Sequence, residues 1–149
     1  MKRFSLPLLI LLAACSAGEK PRSAEFVPPA ESTAEFGDLR VHYNALPTLS
    51  ISDGVAKEYG VEKDAGSAML VIAIRRLANG DEVGAEGEVS AEAVDLQGAR
   101  QRIAFSAVKT GDYTDHIGTF AVHARDSYRF EVTVKADGRT EKVKFQRNF

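Results

Sequence analysis

In 149 residues, 19 Lys and Arg stand against 21 Asp and Glu, and no basic stripe is interleaved with aromatics, which excludes a nucleic-acid surface. A single cysteine excludes an intrachain disulfide and a thiolate metal cluster, so a folded domain here must be held by its core. Beyond the N-terminus no apolar run approaches the roughly 20 residues that a membrane-spanning helix needs.

The chain opens MKRFSLPLLILLAAC. Lys2 and Arg3 form a short positive region, Phe4 to Leu12 is an apolar run, and no acidic residue precedes Glu19. This is the pattern of a secretory signal. Leu12-Ala13-Ala14-Cys15 resembles the lipobox of bacterial lipoproteins. The resemblance implies cleavage before Cys15 and acylation of its thiol and new amino group; more than one chain gives firm anchoring. An ordinary A-x-A-type cleavage is the alternative. Ser16, where an aspartate serves as the retention signal, resembles the sorting position of lipoproteins sent to the outer membrane. The expectation is an outer-membrane lipoprotein facing the periplasm. Loss of Lys2 and Arg3 with the signal leaves 17 basic against 21 acidic residues, a net charge of −4.

Residues 15–35 read as the lipidated cysteine and a tether. Pro21, Pro28 and Pro29 lie among Ser, Glu, Ala and Gly, with only Phe26 and Val27 large and apolar. Such a segment buries too little area to offset its ordering entropy. Phe26-Val27 packing on the domain is the alternative. Residues 36–149 are then one domain, enough for a single core.

Leu39, Val41 and Tyr43 alternate with Arg40, His42 and Asn44, the period of a half-buried strand. Ser52 to Gly60 reads as one or two helical turns, with Ser52 or Asp53 to cap it, Val55, Ala56 and Tyr59 on one face, and Gly60 as the exit. Ala68 to Arg76 is apolar on both parities, which fits a strand covered on both sides or a short buried helix; its β-branched residues favour the strand. Gly87 to Asp95 alternates with Val89, Ala91 and Ala93 on one side. Gln101 to Lys109 carries Ile103, Phe105 and Ala107 on one face, and His116 to His123 carries Gly118, Phe120 and Val122.

The last pair of strands is the most determined. Tyr128, Phe130, Val132 and Val134 alternate with Arg129, Glu131, Thr133 and Lys135, and Asp137-Gly138 is a two-residue hairpin signal. Pairing around that turn sets Val132 opposite Val143, Phe130 opposite Phe145 and Glu131 opposite Lys144. About seven strands, one short helix and no βαβ period predict an all-β fold, an immunoglobulin-like antiparallel β-sandwich. A small β-barrel is the alternative.

Two stretches, FGDLRVHYNA from Phe36 to Ala45 and VAKEYGV from Val55 to Val61, carry a resemblance. With an FGDxxVHYNA opening and a VAxxYG motif, the chain resembles a family of small uncharacterised exported proteins of Gram-negative bacteria, a domain of unknown function. Leu39 stands where that pattern usually has an aromatic residue. The resemblance implies a periplasm-facing domain and no particular activity.

No cofactor or metal motif appears. His42, His116 and His123 are not at the local spacing of a metal site, and Asp112, Asp115 and His116 lack a serine in a G-x-S-x-G setting. Gly80, Gly84, Gly87, Gly98, Gly111 and Gly138 read as turns, not a phosphate loop. The candidate binding row is Arg40, His42 and Asn44, on the polar parity of the first strand beside the 45–60 connection. The expected function is a non-catalytic accessory or binding module of the cell envelope, with the membrane as partner through lipid on Cys15 and an envelope protein as a possible second. The alternative is a metal-dependent or other hydrolase using His42, His116 or His123, which requires those histidines to converge.

Overall fold

The computed structural model describes residues 32–149. The signal segment, Cys15 and the tether up to residue 31 lie outside the described residues. Ten strands and one short α-helix follow one another as β1 (Ser32–Phe36), β2 (Leu39–Pro47), α1 (Asp53–Tyr59), β3 (Ser67–Ala78), β4 (Asp81–Gly84), β5 (Glu88–Val94), β6 (Arg100–Ile103), β7 (Phe105–Thr110), β8 (Tyr113–Ala121), β9 (Ser127–Ala136) and β10 (Arg139–Asn148). They form two antiparallel sheets. Sheet A has the order β1-β2-β3-β8-β7, with β4 also paired to β3, and sheet B has the order β10-β9-β5-β6. Both sheets are open at their edges, so the architecture is a sandwich and not a closed barrel.

Leu70, Ile72 and Ile74 of β3 and Phe120 of β8 meet Ala93 of β5 and Phe130, Val132 and Val134 of β9 between the sheets. The C-terminal hairpin has the register read from its sequence: Val143 faces Val132, Phe145 faces Phe130 and Lys144 faces Glu131. Asp137 and Gly138 both take positive φ, 53° and 71°. At this end Arg139 meets the Asp38 carboxylate at 2.9 Å, and Arg76 pairs with Asp137. These contacts join the sheet B hairpin to sheet A, and the Arg139 guanidinium holds the Asp38 carboxyl below its usual range.

Helix α1 also forms as read. Ser52 Oγ accepts from the Val55 amide at 3.2 Å, and Gly60 exits left-handed at φ 65°. Its apolar side lies on the outer face of sheet A. Ile51, Ala56 and Val61 form a second cluster there with Met69 and Ile117. Strand β3 is therefore covered on both faces, the arrangement its unbroken apolar run requires.

Three strands separate the observed ten from the seven of the sequence reading. Residues 32–35, assigned to the tether, belong to β1, paired to β2 from Ser32 opposite Tyr43 to Phe36 opposite Leu39. Strand β4 extends a hairpin beyond the Asn79-Gly80 turn. The stretch 101–109 divides at Ala104: β6 pairs with β5 in sheet B, and β7 pairs with β8 in sheet A. Ile103 is buried as expected, but Ala107, past the division, is exposed. Gly118 makes the crossing feasible, because a Cβ there would collide with Ile103 and lie 2.9 Å from the Ala104 carbonyl oxygen. Two other glycines read as turns serve close approach instead. A Cβ on Gly84 would lie 2.5 Å from the Asp112 carbonyl oxygen, and one on Gly87 would lie 2.7 Å from that of Lys135.

Candidate functional site

The outer face of sheet A changes character along its strands. Outward residues of β2 pair with outward residues of β3, Leu46 with Met69, Asn44 with Val71, His42 with Ala73 and Arg40 with Arg75. Strand β8 continues the rows, with Ile117 beside Val71 and Asp115 beside Ala73. The Leu46, Met69 and Ile117 end lies under α1, whereas the Arg40, Arg75 and Asp115 end is polar. Alongside the helix a cleft of about 370 Å³ opens, with Ser52, Val55 and Tyr59 on the helix side and Asn44, Val71, Ala73, Arg75 and Asp115 on the sheet side.

Arg75 and Asp115 form an ion pair at 2.8 Å, with side chains only 12% and 14% exposed. Arg75 also donates to the Thr114 carbonyl at 3.2 Å, and its guanidinium lies 4.4 Å from the Tyr113 ring centroid. The Tyr59 hydroxyl donates to the second Asp115 oxygen at 3.3 Å. Cross-strand register alone brings Arg75 near Asp115, and the helix adds Tyr59. A partly buried pair of this kind contributes little net stability, since desolvation offsets attraction. It does fix the orientation of both groups. The cleft thus offers an oriented carboxylate, guanidinium, phenol and amide beside an apolar wall, a composition suited to holding a small polar ligand or a partner's side chain.

Of the residues read from sequence, Asn44 lines the cleft. Arg40 and His42 share its face but lie outside it. Arg40 donates to the Gly37 carbonyl at 2.6 Å and meets Glu35 at 3.4 Å. His42 bridges two strands, with Nδ1 2.9 Å from the Thr33 hydroxyl and Nε2 2.7 Å from a Glu82 carboxylate oxygen. Both residues therefore tie neighbouring segments of sheet A together. Sequence alone gives Tyr59 and Arg75 no site role and sets Asp115 beside Asp112 and His116 instead. Tyr59 reads as the apolar face of the helix, Arg75 as the end of a buried strand, and Asp115 as a member of the turn-rich Asp112, Asp115 and His116 group.

The three histidines do not converge. His42 projects from the outer face of sheet A. His116 pairs with Ile72 and so projects inward, where it is buried. Its Nε2 lies 3.2 Å from the Gly87 carbonyl, an acceptor only, so Nε2 carries the proton there. His123 is exposed on the connection after β8. Among the described residues no group of three or more His, Cys, Asp or Glu side chains is placed to hold a metal ion.

Residues 33–149 match a family model described as a domain of unknown function, DUF4426. The chain belongs to the DUF4426 family. It is similar to a DUF4426 family protein from Pseudomonas aeruginosa PAO1 of known crystal structure, at 24% identity and a TM-score of 0.67, covering 80% of this chain and 94% of that one. A copper-bound variant of FetP from uropathogenic Escherichia coli strain F11 is similar at 11% identity and a TM-score of 0.56, covering 82% and 96% of the two chains. FetP as isolated, expressed recombinantly in the periplasm of E. coli, is similar at 11% identity and a TM-score of 0.53, covering 81% and 94%. At these identities the likeness establishes the fold. No curated protein matches the sequence. Membership of DUF4426 agrees with the coarse reading of the chain as belonging to a family of domains of unknown function.

Proposed function

We propose that this DUF4426 protein is a non-catalytic, periplasm-facing accessory or binding module of the Gram-negative cell envelope, anchored to the outer membrane through lipid on Cys15. The outer-face cleft of sheet A is its recognition site. One observation carries the reading: the charged groups of the cleft, Arg75 and Asp115, are already paired with one another and with Tyr59. Asp115 accepts from both Arg75 and Tyr59, an arrangement that presents a fixed shape and charge pattern and sets no activated nucleophile beside a base. The export signal and the fold shared with FetP, which has been expressed in the periplasm, support the location.

The test is photocrosslinking in cells from a reactive side chain at position 44, compared with one at exposed Thr140 on sheet B. A discrete adduct is expected from position 44 alone. Ala73→Leu, which fills the cleft floor, should remove it while the melting curve stays near that of the parent. An absent adduct, or one that survives Ala73→Leu, refutes the cleft as the recognition site. Anchoring is tested separately. Cys15→Ser should abolish palmitate labelling and leave uncleaved precursor; unchanged labelling refutes the lipoprotein reading.

A further inference from the structure

One end of the sandwich combines features that the cleft does not use. The connection Asp95–Ala99 between β5 and β6 lies at the end of sheet B where β9 begins, since Val94 pairs with both Arg100 and Arg129. Strand β8 runs into β9 at this same end, through residues 122–126. Strand β1 starts nearer this end and runs away from it, with Ser32 opposite Tyr43 and Phe36 opposite Leu39.

Leu96, at the tip of this connection, is 68% exposed, the most exposed large apolar side chain among the described residues. It is held there by a braced turn. The Asp95 carbonyl accepts from the Gly98 amide at 3.2 Å, and the Asp95 carboxylate accepts from the Ala99 amide at 2.7 Å. The Leu96 amide donates to the Asp126 carboxylate at 3.4 Å, and Asp126 is itself buried. Asp95 and Asp126 thus direct their oxygens to backbone amides; on the connection into β3 at this end Asp64 accepts from the Gly66 amide at 2.7 Å and Glu62 is exposed, so the acids here are fewer than the cations.

The cations at this end point outward. Arg100, Arg102, Arg125 and Arg129 are all exposed. Arg100 pairs with Glu92, while Arg102, Arg125 and Arg129 have no ion-pair partner among the described residues. A shallow concavity of about 930 Å³ on the outer face of sheet B is lined by Arg100, Arg102, Arg129 and Lys144, with Glu92 and Glu131 taken up in ion pairs to Arg100 and Lys144. The far end differs in charge. Leu77 and Val83 are also exposed there, at 39% and 41%, but they stand among exposed Asp81, Glu82 and Glu86.

We infer that the Leu96 turn and its arginines seat this end of the domain on the surface of an anionic phospholipid bilayer. A leucine on a rigid tip enters the headgroup boundary, and arginines around it meet lipid phosphates, the pairing that guanidinium groups favour. The far end has apolar side chains too, but its carboxylates repel such a surface. This inference is independent of the cleft. It adds a second, orienting contact to the acyl anchor proposed above, and seating this end leaves the cleft on the flank of the domain.

The test uses the chain without its first 14 residues and with Cys15→Ser, so that neither signal nor acyl group contributes. Sedimentation with phosphatidylcholine vesicles holding about 30% phosphatidylglycerol should pull the protein down, and pure phosphatidylcholine should not. Salt at about 1 M, where the Debye length is about 3 Å, should release it. Each cation near an anionic surface contributes roughly fivefold in partitioning, so the double reversal Arg125→Glu and Arg129→Glu should lower it more than about 20-fold. Leu96→Ser should lower it several-fold. The chain has no tryptophan, so Leu96→Trp places a single reporter at the tip. Its emission should shift to the blue with anionic vesicles, and that of Leu77→Trp should not. Equal binding to neutral vesicles overturns the inference. So does a blue shift at position 77 without one at 96. Capture of a soluble polyglutamate peptide by the arginine face, with no binding to vesicles, assigns that face to an acidic protein partner and overturns it as well.

Discussion

Strands β3 and β9 are both interior strands of their sheets, yet they obey different sequence rules. In β9 every second residue is buried and the others carry Arg129, Glu131, Thr133 and Lys135. In β3 residues 68–74 are apolar without interruption, because one parity faces sheet B and the other faces α1. The pattern of a strand therefore reports how many layers cover it. Sheet B, covered once, displays charge across its outer face. Sheet A, only partly covered by a single short helix, acquires a cleft along the helix's side.

The hairpin half of this contrast breaks most severely at Phe130. Its ring stacks on Phe145 with centroids 4.7 Å apart and meets Phe120 edge-on at 5.2 Å. Phe130→Ala removes both contacts and leaves a cavity, so it should cost about 3–5 kcal/mol in denaturant melts. A domain with roughly 5–15 kcal/mol of total stability has little reserve against that. A mild effect would mean that the parity of β9 is reversed.

Met69→Ala probes the second layer of β3. Met69 is buried beneath α1 in a cluster apart from the main core. A loss of about 2–3 kcal/mol is expected, near the low end for a buried methionine because the satellite cluster is small and partly open. The sharper readout is hydrogen exchange. The amides of α1 should exchange faster while those of β9 keep their protection. Uniform acceleration would make the helix an integral part of the core and erase the distinction between the two layers.

Gly118→Ala tests the corner that joins the sheets. The added methyl meets Ile103 and the Ala104 carbonyl, both fixed by the passage of the chain from β6 to β7. Overpacking of this kind costs about 1–3 kcal/mol. A neutral substitution would show that the corner gives way easily.

These elements differ in how clearly the sequence announces them. The hairpin was legible because three signals agree: strict alternation, the Asp137-Gly138 turn, and a register that pairs apolar with apolar and Glu131 with Lys144. The helix was legible from its caps, Ser52 and Gly60. The corner at Ala104 was not, because alternation runs through 101–109 without a break and the choice of partner strand is tertiary. Its one local mark is a glycine in the facing strand, where period alone is uninformative. Strand β1 carries a tether's composition and gains order only by pairing with β2. The cleft was legible in part. Parity placed Arg40, His42 and Asn44 on one face, but which of them borders a cavity depends on where α1 lies. Arg75 and Asp115 are 40 residues apart and become neighbours only through register.

The smallest expected effect lies on the bare face of sheet B. The Glu131 carboxylate meets Lys142 at 2.6 Å and Lys144 at 3.0 Å, with all three side chains well exposed. Hydrogen bonds from the two lysines, Lys142 first, hold its pKa at about 2 against an ordinary 4.5. A pKa lowered by folding means that the folded state favours the charged form. Any stabilisation is therefore fully present above the unfolded value near 4.5 and fades as the pH falls toward 2. Water and salt screen an exposed pair, and ordering the long lysine side chains opposes the attraction. Glu131→Ala should accordingly shift the denaturation midpoint only slightly at neutral pH, far less than Phe130→Ala one residue away. Its difference from the parent should shrink further below pH 4 and with added salt. A large effect that persists at high salt would show that the outer face of sheet B carries structural weight, and the contrast between a singly and a doubly covered sheet would lose its energetic meaning.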